Sequence, residues 1–125
     1  WSKDLHLFKE QTLGHPVVMG SNTYGTLAAE LEGREMIVVH RNDVPKDILS
    51  SIDAERCFII GGGKTYARFA HLLTHIYITP HPFLFGKGVP LFDGEIPERK
   101  LVFQNMVPVD EKNGIFQYQY KVFSS

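Results

Sequence analysis

Apolar residues occur in short runs that alternate with amphipathic and polar stretches along the chain. Residues 2–12 have the spacing of a helix, because Leu5 and Phe8 share one face and Ser2 can cap the first turn. Four short apolar runs are typical of strands, at residues 17–19, 36–39, 58–60 and 76–79. Since these runs do not alternate with polar residues, we expect strands that are covered on both faces.

Helical patterns separate the predicted strands. Residues 21–31 predict a second helix, which ends at Gly33, and residues 64–73 predict a third. Residues 43–51 predict a polar connection with a single helical turn. This alternation is typical of parallel strands that are joined by helical crossovers.

The end of the chain has a different pattern. Two late apolar runs, residues 101–103 and 116–122, predict an antiparallel pair of strands, and Asn113-Gly114 between them is a turn signal. The whole pattern predicts one α/β domain over residues 1–125. We expect it to have three layers, with a mainly parallel central sheet and a closing antiparallel pair.

Composition narrows the classes of partner. The 125 residues are 43% hydrophobic and 22% charged, which is typical of a folded globular domain. The net charge of −1 contains no long run of one sign, so we do not expect nucleic acid as a partner, and any anion site must be local. No apolar run approaches the ~20 residues that span a membrane. We expect a monomer or homodimer that binds a small molecule.

Cysteine and histidine give no sign of a metal site. The single cysteine, Cys57, excludes a disulfide within the chain and favours a reducing, cytoplasmic location. Its apolar flank predicts a core thiol rather than a nucleophile. His71 and His75 lie four residues apart but across a predicted boundary between helix and strand, so we predict no metal site.

Two predicted strands end in glycine and lead directly into a helix. Free backbone N–H groups at such a turn favour an anion, and glycine lets a phosphate approach the backbone. On neighbouring parallel strands, two such turns can hold the two ends of a pyrophosphate. The alternative is that the glycines only permit tight turns. The two turns are Gly20-Ser21-Asn22-Thr23 and Gly61-Gly62-Gly63-Lys64-Thr65.

Two cations, His40 and Arg41, follow the predicted strand at residues 36–39. At the carboxyl end of a strand they can contact the 2′-phosphate of a dinucleotide and favour NADPH over NADH. The alternative is a solvated surface pair.

A carboxylate, Asp4, lies beside Leu5 and Phe8 at the start of the first helix. A carboxyl group against apolar neighbours can have a raised pKa and can hydrogen-bond the N–H groups of a ring. The alternative is structural, because acidic residues stabilise the first turn of any helix.

In this order, the motifs resemble the dihydrofolate reductase family, and the resemblance runs from Asp4 to Thr79. It implies that Asp4 is the catalytic acid, that Thr79 supports Asp4 and the pterin, and that Arg34 binds the glutamate carboxylate of the substrate. It also implies a pterin pocket that is lined by Leu5, Phe8, Leu27, Leu31 and Ile60.

The same resemblance implies an NADPH site. The turn from Gly20 to Thr23 matches the first phosphate turn of the family, and residues 60–66 match the second. A cis peptide bond would join Gly61 to Gly62, and Tyr66 would lie beside the nicotinamide.

The sequence departs from the family in three places. The family opens with a strand at the centre of its sheet, which this sequence lacks, so the sheet should have unpaired central edges. Ser21 stands where many members carry a phosphate-binding arginine, so Arg41 and Lys64 would supply the charge. Residues 80–93, with Gly86-Lys87-Gly88, look more like the pyrimidine reductase domain of riboflavin biosynthesis.

Two enzymatic functions therefore follow from the resemblance, and a third hypothesis is a module that binds NADPH without catalysis. The first is the NADPH-dependent reduction of dihydrofolate at a pterin C=N bond. The alternative is the reduction of 5-amino-6-(ribosylamino)uracil phosphate, which would use the same fold and cofactor but would not need Arg34.

Overall fold

The computed structural model describes residues 2–79 and 99–124, and within them the side chains of residues 5–79 and 101–123. Residues 80–93, which resemble the pyrimidine reductase domain, lie outside the described residues. The side chain of Asp4 also lies outside them, although its backbone belongs to the first helix.

The elements follow the order that the pattern predicts. The α-helices are α1 (Ser2–Thr12), α2 (Ser21–Leu27), α3 (Pro45–Ser51) and α4 (Gly63–Phe69). The strands are β1 (Val17–Gly20), β2 (Met36–Val39), β3 (Phe58–Ile59), β4 (His75–Ile78), β5 (Arg99–Asp110) and β6 (Ile115–Ser124). Short 3-10 turns continue α2 and α4 over Ala28–Leu31 and Ala70–Leu72. No helix in the described ranges is long and apolar enough to cross a bilayer.

One element differs from its prediction. The segment at residues 43–51 contains the seven-residue helix α3 instead of a connection with one turn. Pro45 suits the first turn of a helix, where its missing N–H is not needed. Ile48 and Leu49 of this helix, and Ile52 directly after it, are partly buried against the core, and this packing stabilises the helix despite its polar composition.

The first sheet is parallel, in the order β2-β1-β3. Val17 of the central strand β1 pairs with Met36 on one side and Phe58 on the other. Successive side chains of β1 point to opposite faces of the sheet, and each face contributes to its own core cluster. One cluster contains Val17, Met19 and Leu31, and the other contains Val18, Val39 and Phe69. The prediction that these strands are covered on both faces is confirmed for β1.

The second sheet is antiparallel, in the order β4-β6-β5. The predicted hairpin is confirmed, and Gly114 provides its turn with a positive φ of 71°. β4 joins this sheet by pairing with β6, with Ile78 opposite Tyr118. The α/β class is confirmed, with parallel pairing confined to β1, β2 and β3 among the described strands.

The two sheets meet at an open slot. In the described residues β3 pairs only with β1, and β4 pairs only with β6, so each strand has one free edge. The rings of Phe58 and Tyr77 meet edge to face across this slot, with centroids 6.4 Å apart.

Candidate active site

A cavity of about 790 Å³ lies between the two sheets and extends from one face of the parallel sheet to the other. On one face it is bounded by α1 and α2, and on the other by α3 and the end of α4. The candidate site residues that line it are Leu5, Phe8, Leu27, Ile60, Tyr66 and Thr79. Its size falls within the range of small-molecule sites.

The two glycine turns lie side by side at the carboxyl ends of β1 and β3. The backbone N–H of Gly20 donates to the carbonyl of Gly61 across 2.8 Å. A Cβ atom at position 20 would lie 2.9 Å from the Thr65 hydroxyl oxygen, so only glycine fits there without a shift of a neighbour. The sequence-based expectation of turns on neighbouring parallel strands is therefore confirmed.

The second turn has the backbone that the resemblance implies. The peptide bond between Gly61 and Gly62 is cis, and Gly61 has a φ of +112°, which residues with a side chain rarely adopt. The ring of Tyr66 covers this turn, because a Cβ atom on Gly61 would lie 3.2 Å from its Cε2 atom. Burial raises the pKa of the Tyr66 phenol, which therefore stays protonated at neutral pH.

The remaining residues of the two turns differ in exposure. Ser21, Asn22 and Lys64 are exposed, Thr23 is half-buried, and Thr65 is buried. The exposed members are accessible to a ligand that approaches the turns from solvent.

The cations His40 and Arg41 lie in an exposed turn that directly follows β2. The backbone N–H of His40 donates to the Asp43 carboxylate across 2.7 Å, and the Asp43 N–H donates to the His40 carbonyl across 3.1 Å. Arg68 of α4 donates to the carbonyls of both His40 and Asp43. The sequence analysis missed Arg68, although it lies four residues after Lys64 on the same helix and so shares its face.

Arg34 connects the corner before β2 to the last turn of α1. Its Nε donates to the Thr12 hydroxyl across 3.0 Å, and its Nη2 donates to the Lys9 carbonyl across 2.6 Å. A third bond joins Nη1 to the Glu32 carbonyl across 3.1 Å. A guanidinium has five N–H groups, so these three bonds fix its plane and leave two N–H groups for other acceptors.

The other predicted pocket residues differ in how deeply they are buried. Leu5, Phe8 and Leu27 are half-buried at the cavity wall. Leu31 is fully buried in the core behind Phe8 and Leu27, and it is not among the residues that line the cavity. Leu31 therefore acts on the cavity through the two side chains that it supports.

Residues that the sequence analysis did not single out also line the cavity. Gln11 and Thr12 of α1 do so, and Gln117 of β6 does so from the opposite sheet. The position of Gln11 carries a signal, because it lies seven residues after Asp4 and three after Phe8, on one helical face.

Cys57 lines the cavity just before β3 and is half-buried. It is less enclosed than a core residue, because the slot beside the short strand β3 is open. Burial raises the pKa of its thiol, which favours the unreactive protonated form. Among the described side chains, no group of three or more His, Cys, Asp or Glu is arranged to hold a metal ion.

Comparisons with known proteins agree with this geometry. The sequence profile described as dihydrofolate reductase matches residues 1–121. The chain is 30% identical over 136 aligned residues to a dihydrofolate reductase from Bacillus subtilis (strain 168), and the alignment covers 96% of this chain and 78% of that protein.

Two further relatives match over a shorter region. The chain is 38% identical over 88 residues to dihydrofolate reductase type 3 from Salmonella typhimurium, and the match covers 61% of this chain and 54% of that protein. It is 34% identical over 96 residues to dihydrofolate reductase type 8 from Escherichia coli, with 61% and 57% covered. The matched region thus spans little more than half the length of these two relatives. The family profile, the joined glycine turns and the cavity lead to one assignment: the chain belongs to the dihydrofolate reductase family.

Proposed function

We propose that this protein reduces dihydrofolate with NADPH. NADPH supplies a hydride to the carbon of the pterin C=N bond, and a proton reaches the neighbouring nitrogen, so that the double bond becomes CH–NH. The observation that carries the proposal is the joined pair of glycine turns beside a cavity whose wall is formed by Leu5, Phe8 and Leu27.

The cofactor would bind at the two glycine turns. The close approach of Gly20 to Gly61 and Thr65 leaves backbone, not side chain, facing a pyrophosphate. The exposed turn with His40 and Arg41 would bind the 2′-phosphate, and Lys64 would add positive charge. Arg41 and Lys64 would supply the charge that Ser21 does not.

The pterin ring of the substrate would bind at the apolar wall of the cavity. Phe8, Leu27 and Ile60 give an apolar surface against which a flat ring can pack, and a dry surface strengthens polar contacts at its edge. Asp4 would bind the N–H groups of the pterin and promote protonation of the ring nitrogen. Thr79 would support that contact from the end of β4.

The tail of the substrate fits Arg34. The Arg34 guanidinium uses three of its five N–H groups in the bonds to Thr12, Lys9 and Glu32. A substrate carboxylate would accept hydrogen bonds from the other two. Because those bonds already hold the guanidinium plane, little side-chain entropy would be lost on binding.

We also propose that the slot between β3 and β4 is the place of the strand that opens the family's fold. Both free edges face this slot, and the cavity that fills it reaches both core clusters. No observation in the described residues favours the riboflavin-pathway reductase, and the segment that suggested it, residues 86–92, lies outside them. A cytoplasmic location and a monomeric or homodimeric state remain expectations from the sequence.

The test offers dihydrofolate and the aminouracil substrate separately and follows the consumption of NADPH. We expect turnover with dihydrofolate only. In Arg34→Ala, the affinity for dihydrofolate should fall by about 1.5–3 kcal/mol, whereas a dihydropterin without the glutamate tail should lose far less. Turnover of the aminouracil alone would overturn the proposed substrate. An equal loss for both pterins would show that Arg34 acts only through its bonds to α1.

A further inference from the structure

Two glutamine side chains join α1 to β6 across the cavity. Gln11 Nε2 donates to Gln117 Oε1 across 2.7 Å, and Gln117 Nε2 donates back to Gln11 Oε1 across 3.0 Å. Gln119 Nε2 also donates to Gln117 Oε1 across 3.0 Å. Gln117 is only 6% exposed, so loss of Gln11 would leave the Gln117 Nε2 group without this acceptor, while Oε1 would still accept from Gln119.

The β-sheet register places Gln117 beside a candidate catalytic residue. β4 and β6 are antiparallel, with Tyr77 opposite Gln119 and Ile78 opposite Tyr118. β4 ends at Ile78, and Thr79 follows it directly. If the same ladder continued by one position, Thr79 would lie opposite Gln117, so Gln117 belongs to the part of β6 next to the end of β4.

The helix periodicity places Gln11 on the face of α1 that carries the other candidate residues. Asp4, Phe8 and Gln11 are spaced by four and three residues, so they share one face of this helix. Phe8 and Gln11 both line the cavity. A bond at Gln11 thus constrains the same face that presents Asp4.

We propose that Gln11 and Gln117 are a positioning pair, which sets the separation between the helix face that carries Asp4 and the strand end that carries Thr79. The proposal rests on the proposed function, because it assigns both ends to the pterin site. A reciprocal amide pair has two bonds in parallel and therefore fixes the orientation of both side chains as well as their distance. Arg34 holds the last turn of α1 to the parallel sheet, and the glutamine pair holds it to the antiparallel sheet.

The test is a double-mutant cycle with Gln11→Met, Gln117→Met and the double variant, because methionine keeps the length of glutamine but makes no amide bond. We measure kcat and KM for dihydrofolate and KM for NADPH, together with thermal unfolding. Each single variant should lower kcat/KM for dihydrofolate about tenfold and leave KM for NADPH within about twofold. The double variant should resemble the single variants, since either change already breaks the pair.

The control is Gln104→Met, at an exposed glutamine of β5, which should behave as the unaltered protein. Additive losses in the double variant, or equal losses for dihydrofolate and NADPH, would overturn the pair as a positioning device while the proposed function stands. Absence of dihydrofolate turnover and binding in the unaltered protein would instead overturn the proposed function, and the proposed role of the pair with it.

Discussion

The backbone N–H of Gly20 and the carbonyl of Gly61 form a 2.8 Å hydrogen bond between the ends of two neighbouring parallel strands. This bond places two strand-to-helix turns in one continuous surface of backbone. Thr65 limits the space beside this surface, since its hydroxyl oxygen lies 2.9 Å from the position that a Cβ atom at residue 20 would occupy. A dinucleotide that bridges the turns would therefore meet main-chain N–H groups at both ends of its pyrophosphate.

Gly20→Ala should disturb this surface. The added methyl group would lie 2.9 Å from the Thr65 hydroxyl, so the Thr65 side chain, β1 or α4 must shift. We expect a loss of about 1–3 kcal/mol in the free energy of unfolding and a higher KM for NADPH. Urea unfolding and NADPH titration measure the two effects.

Gly25→Ala is the matched control for that substitution. A Cβ atom at this glycine of α2 meets nothing within 4 Å, and alanine favours a helix, so stability should stay equal or rise by about 0.5–1 kcal/mol. Thr65→Ala in the Gly20→Ala background should recover part of the lost stability. If Gly20→Ala unfolds and binds NADPH as the unaltered protein does, the turns do not depend on this close approach.

Arg41→Ala should weaken the binding of NADPH more than the binding of NADH. If Arg41 contacts the 2′-phosphate, its loss should raise KM for NADPH about tenfold and change KM for NADH little. Arg68→Lys should have a smaller effect of the same sign, because lysine is a point donor and cannot hold both the His40 and Asp43 carbonyls.

Lys46→Ala on α3 is the control for charge alone, since it removes an exposed cation from a different element. It should leave the ratio of the two KM values unchanged. If Arg41→Ala raised the KM values for NADPH and NADH by the same factor, the 2′-phosphate would bind elsewhere.

The open slot makes a prediction for hydrogen exchange. The N–H groups of Phe58 and Ile60 donate to carbonyls of the β1 side, so the intervening N–H of Ile59 points toward the slot. In this chain the amide of Ile59 should exchange at least tenfold faster than that of Ile60. When an upstream strand is attached to the chain, the amide of Ile59 should become as protected as that of Ile60. Equal protection without such a strand would mean that the edge of β3 is already covered.

Local sequence patterns predicted much of the fold and the two glycine turns of the candidate cofactor site. The strand run before Gly20 and the three glycines from Gly61 each carry their signal within a few residues, and the structure places them together. The signal for helix α1 is equally local, because its apolar spacing lies within eleven residues.

The remaining features depend on contacts between distant parts of the chain. Gln11 and Gln117 are 106 residues apart, and Arg68 lies 28 residues from His40, so no spacing rule indicates either contact. The helix α3 was missed because its composition is mostly polar, and the packing of Ile48 and Leu49 against the core depends on distant parts of the chain. The pairing of β4 was also non-local, since its partner β6 begins at residue 115.

The most direct test of the account is the consumption of NADPH with dihydrofolate, measured by nicotinamide absorbance on the protein with its natural N-terminus and on Asp4→Asn. We predict turnover by the unaltered protein. If Asp4 is the acid, kcat should fall by about 10²-fold or more in Asp4→Asn, while NADPH binding changes by less than about twofold. If the unaltered protein binds NADPH but leaves dihydrofolate unreduced, or if Asp4→Asn is as active as the unaltered protein at every pH, the account is contradicted.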